Sequence, residues 1–472
     1  MESSLVGLSS SFPAPLYKSA AQRLPLRLER RDGGRGQDLY SFALGAALAG
    51  QLVVDKAAPK PRVLRGEITL SDRAPAPQRD GVWLSGELER LDLDQWQDIL
   101  LDKSGGDDAF PWAGIDLRAR RLRMFSREFA DVDITAQRKG TAWAANLDSA
   151  PVAGDIEWQP EGKGAIVGRF KHLELPTPTA GLGPTSAQTA ASQGKDLPSI
   201  NLTAADFRMG TRQLGSLNLQ AVPSGSDWRI EHLDLVSPDG NLSVKGVWQA
   251  WAVNPRTQVE VKLEVNDIGR FFARMELPKG IDGGKGKLEG TLSWAGPPYA
   301  MDLPTLSGRL GLSAAKGRFV KVDPGIGKLL AVLSLQMLPK VVTLDFRDIF
   351  SQGFAFDQIS ANADIVHGLA RTQDFNMKGP AARVEMRGEV NLAAETQQLD
   401  VRIFPSLSDS VALGTALLNP VVGLGALVVQ KALKDPLSHI LSLEYHIAGT
   451  WTTPSVTKKK REIPPTAPAG RK

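Results

Sequence analysis

From Leu217 to Trp294 the chain alternates apolar and polar residues with a period of two. Leu217, Leu219 and Ala221 stand against Ser216, Asn218 and Gln220, and Leu242, Val244 and Trp248 stand against Asn241, Ser243 and Lys245. Val259, Val261, Leu263 and Val265 enclose Glu260, Lys262 and Glu264, and the pattern returns at Leu288, Leu292 and Trp294 and at Leu443, Tyr445, Ile447 and Trp451. A period of two predicts strands with one wet face and one dry face. Turn signals at Ser224-Gly225-Ser226, Pro238-Asp239-Gly240 and Asp282-Gly283-Gly284 punctuate these runs at hairpin spacing, so the expected fold class is mostly β with an antiparallel sheet.

Helical patterns are few: Asp94 to Leu101, Asp267 to Met275, Pro324 to Leu338, and Leu407 to Lys434, the last interrupted by Asn419-Pro420. They cannot cover the dry face alone. A second sheet, closure into a barrel, or an apolar ligand must do so. If about 20 strands form one sheet at roughly 4.8 Å each, it extends on the order of 95 Å, a long curved gutter able to hold several acyl chains.

Pro/Gly-rich breaks lie at 56–61, 71–81 and 102–111, and the longest low-complexity stretch runs from Pro176 to Ser199. The expected organisation is a β region over 1–175, a linker or loop over 176–199, a second β region over 200–456 carrying the apolar helices 324–338 and 407–434, and a basic, Pro-rich tail over 457–472.

Composition narrows the function. The 472 residues are 42% apolar, enough to fill a core, and 56 Lys+Arg face 52 Asp+Glu. The basic excess sits in the tail, at Lys458, Lys459, Lys460, Arg461, Arg471 and Lys472, which argues against nucleic acid as a partner. The chain has no cysteine, which excludes thiol catalysis, disulfides and most structural zinc sites. It shows neither a signal peptide nor an anchor, yet Leu5, Leu8, Pro13 to Pro15 and the run Leu24, Leu26 and Leu28 read as strand and loop of a continuing structure. The expectation is a chain that begins inside a larger protein.

Catalytic patterns are weak. His172, His232, His367, His439 and His446 are scattered with no metal-ligand spacing, and His446 falls on the polar side of its strand, where solvation is expected. Ser313-Ala314-Ala315-Lys316 matches the Ser-x-x-Lys pattern but lies in a strand and turn rather than opening a helix. The glycine-rich stretch 280–290 leads into a strand, so a hairpin turn accounts for it better than a phosphate loop. No enzyme activity, cofactor or metal is expected.

Several segments carry a resemblance. Gly286 to Gly296 (Gly-Lys-Leu-Glu-Gly-Thr-Leu-Ser-Trp-Ala-Gly), Leu306 to Leu310, and Gly317-Arg318-Phe319 followed by Asp323-Pro324-Gly325 resemble the C-terminal region of AsmA-like proteins. Leu344 to Asp357, Gly379-Pro380-Ala381-Ala382, Pro405-Ser406-Leu407, Leu418 to Gly423, and Lys434-Asp435-Pro436-Leu437 resemble the YhdP branch of that superfamily, as does Phe12 to Leu16 with Lys18. The resemblance implies a periplasmic β-gutter of a Gram-negative envelope, attached to the inner membrane by an N-terminal helix that this chain lacks. It also implies phospholipid as the carried partner, movement towards the outer membrane, and a role in outer-membrane permeability.

On this reading the lipid-groove wall is Leu217, Leu219, Leu242, Val244, Val259, Val261, Leu263, Val265, Leu288, Leu292, Val342, Leu344 and Phe346. Val411, Leu413, Leu417, Leu418, Val421, Val422, Leu424 and Leu427 form an apolar segment that either caps the groove or touches a membrane. Trp248, Trp251, Trp294 and Trp451 fall at or just beyond strand ends, as rim or as edge packing. The alternative is a structural or assembly factor with a closed sandwich core, holding outer-membrane or periplasmic proteins through strand edges.

Overall fold

The computed structural model describes residues 1–57, 61–100, 111–124, 127–176, 197–250, 252–277, 280–320, 354–405 and 442–459. Among the described residues strands make up 69% and helices 4%. The described elements are almost all strands, as the alternation predicts. The chain divides into two units, Met1–Glu231 and His232–Lys472, with the boundary inside strand β15 (Asp227–Ser237).

The first unit starts with β1 (Glu2–Ser3), β2 (Leu26–Gly34), β3 (Gln37–Leu44), β4 (Leu48–Asp55) and β5 (Arg62–Leu70), each antiparallel to the one before. The direction rule then changes. β6 (Gly81–Leu88) lies parallel to β5, and β8 (Trp112–Met124) lies parallel to β6 and to the short β7 (Leu91–Asp92). Antiparallel pairing resumes through β9 (Arg127–Lys139), β10 (Ala142–Asp148), β11 (Val152–Gln159) and β12 (Ala165–Leu175). β13 (Ser199–Met209) is again parallel to β12, and β14 (Arg212–Ser224) closes the series antiparallel to β13. Parallel neighbours cannot be joined by a tight turn. Their connections are therefore the long ones: 71–80, the stretch holding α1 (Leu93–Leu100), and 176–198. The linker expected at 176–199 falls mostly on residues 177–196, outside those described.

Helix α1 packs on the N-terminal loop: Phe12 stacks on Trp96 at 6.3 Å, and Trp96 Nε1 donates to the Ala14 carbonyl at 3.1 Å. The buried carboxylates described in this unit are paired. Asp38, 3% exposed, accepts from Arg30 at 2.6 Å and Lys56 at 3.0 Å, and the Lys56 hydrogen bond holds its carboxyl below the usual range. Glu67 is held by Arg79 at 3.0 Å, whose guanidinium lies 3.7 Å from the Trp83 ring centroid.

The second unit is a plain meander. β16 (Gly240–Gln249), β17 (Arg256–Val265), β18 (Ile281–Ala295), β19 (Ser307–Phe319), β20 (Phe354–Val366), β21 (Leu369–Lys378), β22 (Ala382–Asn391), β23 (Thr396–Pro405), β24 (Leu443–Thr450) and β25 (Pro454–Lys458) pair in chain order, all antiparallel. Its largest core cluster gathers Phe319, Phe354, Phe356, Met377, Ile403 and Tyr445 with their neighbours near one end of the strands. Phe356, 1% exposed, lies over Gly317, where a Cβ would collide with its ring.

Helix α2 (Ile268–Arg274) forms where expected, with Asp267 as N-cap accepting from the Arg270 amide at 2.9 Å. One turn expectation is corrected. Asp282-Gly283-Gly284 is not a hairpin turn but part of β18, with Gly283 at φ 61° and Gly284 at φ 82° kinking a ladder that continues to β19. The kink brings the strand under α2, so that a Cβ on Gly284 would meet Ile268 at 3.4 Å. The expected helices 324–338 and 407–434 lie outside the described residues, and no helix among the described residues is long and apolar enough to cross a membrane.

Candidate functional site

Register converts the alternation into surfaces. In the first unit, residues directly opposite one another run Leu28, Phe42, Gly50, Ile68, Leu84, Ile115, Ala136, Ala145, Ile156, Gly168, Leu202 and Leu219 across twelve strands. Every member is apolar. At about 4.8 Å per step the row runs roughly 50 Å along the strand-pairing direction. Two residues further on, a parallel row runs Leu70, Gly86, Leu117, Ile134, Leu147, Gly154, Phe170, Ala204 and Leu217. The glycines do not interrupt the surface: the Phe42 ring lies where a Cβ on Gly50 would be.

The second unit repeats the construction. Leu242, Leu263, Leu288 and Leu312 stand opposite one another across β16 to β19, and Val244, Val261, Gly290 and Leu310 form the next row. These central rows are only partly shielded: Leu242, Val244, Val261, Leu263 and Leu288 are half-buried and Leu312 is 40% exposed. The flanking positions are sealed. Val259 and Leu292 are buried with Trp294 and Leu306 towards one strand end, and Val265 is buried beside Ile268 of α2 towards the other. The result is an apolar face buried along its sides and open along its middle.

The opposite face is charged. Lys245, Glu260, Thr291, Arg309 and Asp364 stand in one row across β16 to β20, with Arg309 on Asp364 at 2.8 Å. His446 belongs to this face but is not simply solvated: its Nδ1 lies 2.9 Å from Asp400 Oδ1, which also accepts from Lys459 at 2.7 Å. The Lys459 hydrogen bond, then that of His446, holds the Asp400 carboxyl below its usual range. His172 makes a similar 2.9 Å contact with Asp206. Among the described residues no cluster of three or more His, Asp or Glu could hold a metal. Ser313 to Lys316 lies within β19, where Ser313, Ala314 and Ala315 pair on both sides and Lys316 sits at a positive-φ break in the ladder.

The groove residues named from sequence that fall among the described residues have definite places. Leu217 and Leu219 end the two rows of the first unit, while Leu242, Val244, Val259, Val261, Leu263, Val265, Leu288 and Leu292 share the apolar face of the second. Val342, Leu344 and Phe346 lie outside the described residues, as do Trp251 and the segment holding Val411, Leu413, Leu417, Leu418, Val421, Val422, Leu424 and Leu427. Trp248 and Trp294 are 1% and 3% exposed and pack at strand ends. The long row through Leu28, Phe42, Ile68, Leu84 and Ile115 was not singled out from sequence. The signal was present as an apolar residue every second position in β8, but Gly and Ala members hid the rest.

The YhdP protein family model matches residues 1–456. The chain is 25% identical to the intermembrane phospholipid transporter YhdP of Escherichia coli (strain K12), over 97% of this chain and 37% of that protein, so it spans little more than a third of that relative's length. No solved structure matches. An amphipathic, mostly β chain matched over nearly its whole length by this family model belongs to the YhdP family.

Proposed function

We propose that this chain is a non-enzymatic, lipid-binding segment of a phospholipid conduit between the inner and outer membranes of a Gram-negative envelope, with acyl chains carried along the apolar β-face. The observation that carries this reading is the unbroken apolar row over β2 to β14 in the first unit, repeated by the half-open leucine row over β16 to β19 in the second. A sheet that only needed a core would bury these residues fully. Leaving most of them half-open to water costs about 25 cal/mol per Å² of apolar surface, a cost that an apolar ligand removes. The relative's phospholipid transport supports the choice of ligand.

The segment works in the periplasm, and further protein or membrane partners complete the path. Sliding along such a face needs no single essential side chain, because contact area adds up residue by residue. The test is mass spectrometry of lipid co-purifying with the chain. Phospholipid at one or more molecules per chain is the expected result. A folded, lipid-free protein that takes up no phospholipid from vesicles overturns the reading and favours a scaffolding role through strand edges.

A further inference from the structure

The apolar face of the second unit carries a buried amide, Gln397. The row Val259, Leu292, Gly308, Ile365, Ala370 and Val390 continues to Gln397 and then to Gly449. Gln397 alternates with Leu399, Val401 and Ile403, all buried in the main core cluster, and therefore shares their face. It is 3% exposed, and neither its Nε2 nor its Oε1 has a hydrogen-bond partner. Directly across the ladder, Gly449 offers no side chain to fill or satisfy the place.

A second orphan stands at the same strand end. The Trp451 amide donates to the Glu395 carbonyl at 2.9 Å, extending the β23–β24 ladder. Trp451 directly follows β24, and its indole Nε1 is buried with no partner. Two other buried polar groups in this unit show the usual arrangement: Trp294 Nε1 donates to the Pro297 carbonyl at 3.0 Å, and Thr257 Oγ1 to the Gly296 carbonyl at 2.7 Å. Burying a polar group without a partner is costly, and native chains rarely tolerate it twice at one place without a use.

We propose that Gln397 and Trp451 form a polar notch that takes the ester carbonyl of a diacyl lipid lying on the apolar face. The inference rests on the lipid-carrying reading above. The chemistry follows from the donors: Gln397 Nε2 and Trp451 Nε1 both offer N–H, and an ester carbonyl oxygen accepts two hydrogen bonds while its acyl chain runs towards the half-open middle of the face. A phosphate fits less well, because the row beside the notch holds no cation to offset a desolvated anion. Gln397 Oε1 then accepts from an N–H or O–H of the headgroup. The notch fixes the depth at which the glycerol backbone meets the sheet.

The experiment compares binding to the full chain of a phosphatidylethanolamine with two ester-linked chains and of its dialkyl ether analogue, which has the same headgroup and chain lengths but no carbonyls. The ester lipid is expected to bind about tenfold more tightly, the scale of two neutral hydrogen bonds. Gln397→Leu and Trp451→Phe should each shrink that preference without lowering the melting temperature. Equal affinities in the wild type, or an unchanged preference in both variants, overturn the notch and leave the groove standing. Uptake of neither lipid overturns both.

Discussion

A charge placed in the middle of the leucine row tests the lipid path most directly. Leu263 stands between Leu242 and Leu288, with Leu312 one strand further, and the row spans three strand spacings, about 14 Å, close to the roughly 15 Å depth of one leaflet's hydrocarbon. One acyl chain laid along it touches all four residues. On an open face such a chain buries about half its surface, or roughly 0.4 kcal/mol per methylene. The carboxylate of Leu263→Asp keeps its water and lifts about six methylenes from the face, a loss of about 2.5 kcal/mol, or between about fifty- and a hundredfold in affinity. Leu263→Ala removes only about 40 Å² of contact and should cost about fivefold. Leu263 is half-buried, so the variant should fold; Leu292, in the buried cluster with Trp294, is not an equivalent site. Displacement of a fluorescent acyl probe gives the affinity, and circular dichroism checks the sheet. A folded Leu263→Asp protein with wild-type lipid affinity refutes the reasoning.

Other consequences concern stability. Phe356→Ala opens the cluster that holds Phe319 and Tyr445 and should cost about 3–5 kcal/mol by denaturant unfolding of the second unit. Asp267→Ala removes the α2 cap and should cost about 1 kcal/mol, with Asp267→Asn recovering most of it. Because Lys459 and His446 lower the Asp400 pKa, the stability it confers is complete above the ordinary aspartate range, near pH 4, and is lost as pH falls through the lowered value. Asp400→Asn should therefore lower the melting temperature at neutral pH, and the difference from wild type should vanish in acid. A constant difference across that range would contradict the pairing.

Much of this architecture is written in the period-two pattern, and what is not has identifiable reasons. β17 was legible because Val259 to Val265 alternates without exception with Glu260, Lys262 and Glu264. Helix α2 was legible from Asp267 and the apolar residues after it. The parallel steps at β5–β6, β6–β8 and β12–β13 were not, because alternation fixes which face a residue occupies but not which way its strand runs. Gly283-Gly284 looked like a turn because positive φ serves turns and in-strand kinks equally. His446 was placed on the correct face, but its pairing with Asp400 needed the β23–β24 register, which joins residues 46 apart in the chain.

The pairing order also bears on how the chain reaches its native state. Most strands bond to the one made just before, so most of the sheet can grow hairpin by hairpin, with little loop-closure entropy at each addition. The exceptions are the parallel junctions. At β12–β13, Ala165 meets Ser199, a closure of 34 residues where most neighbouring strands need only a short turn. Until that junction closes, the apolar rows on either side have unpaired edges, which makes it the step at which a folding chain is most open to capture by another copy or by a chaperone.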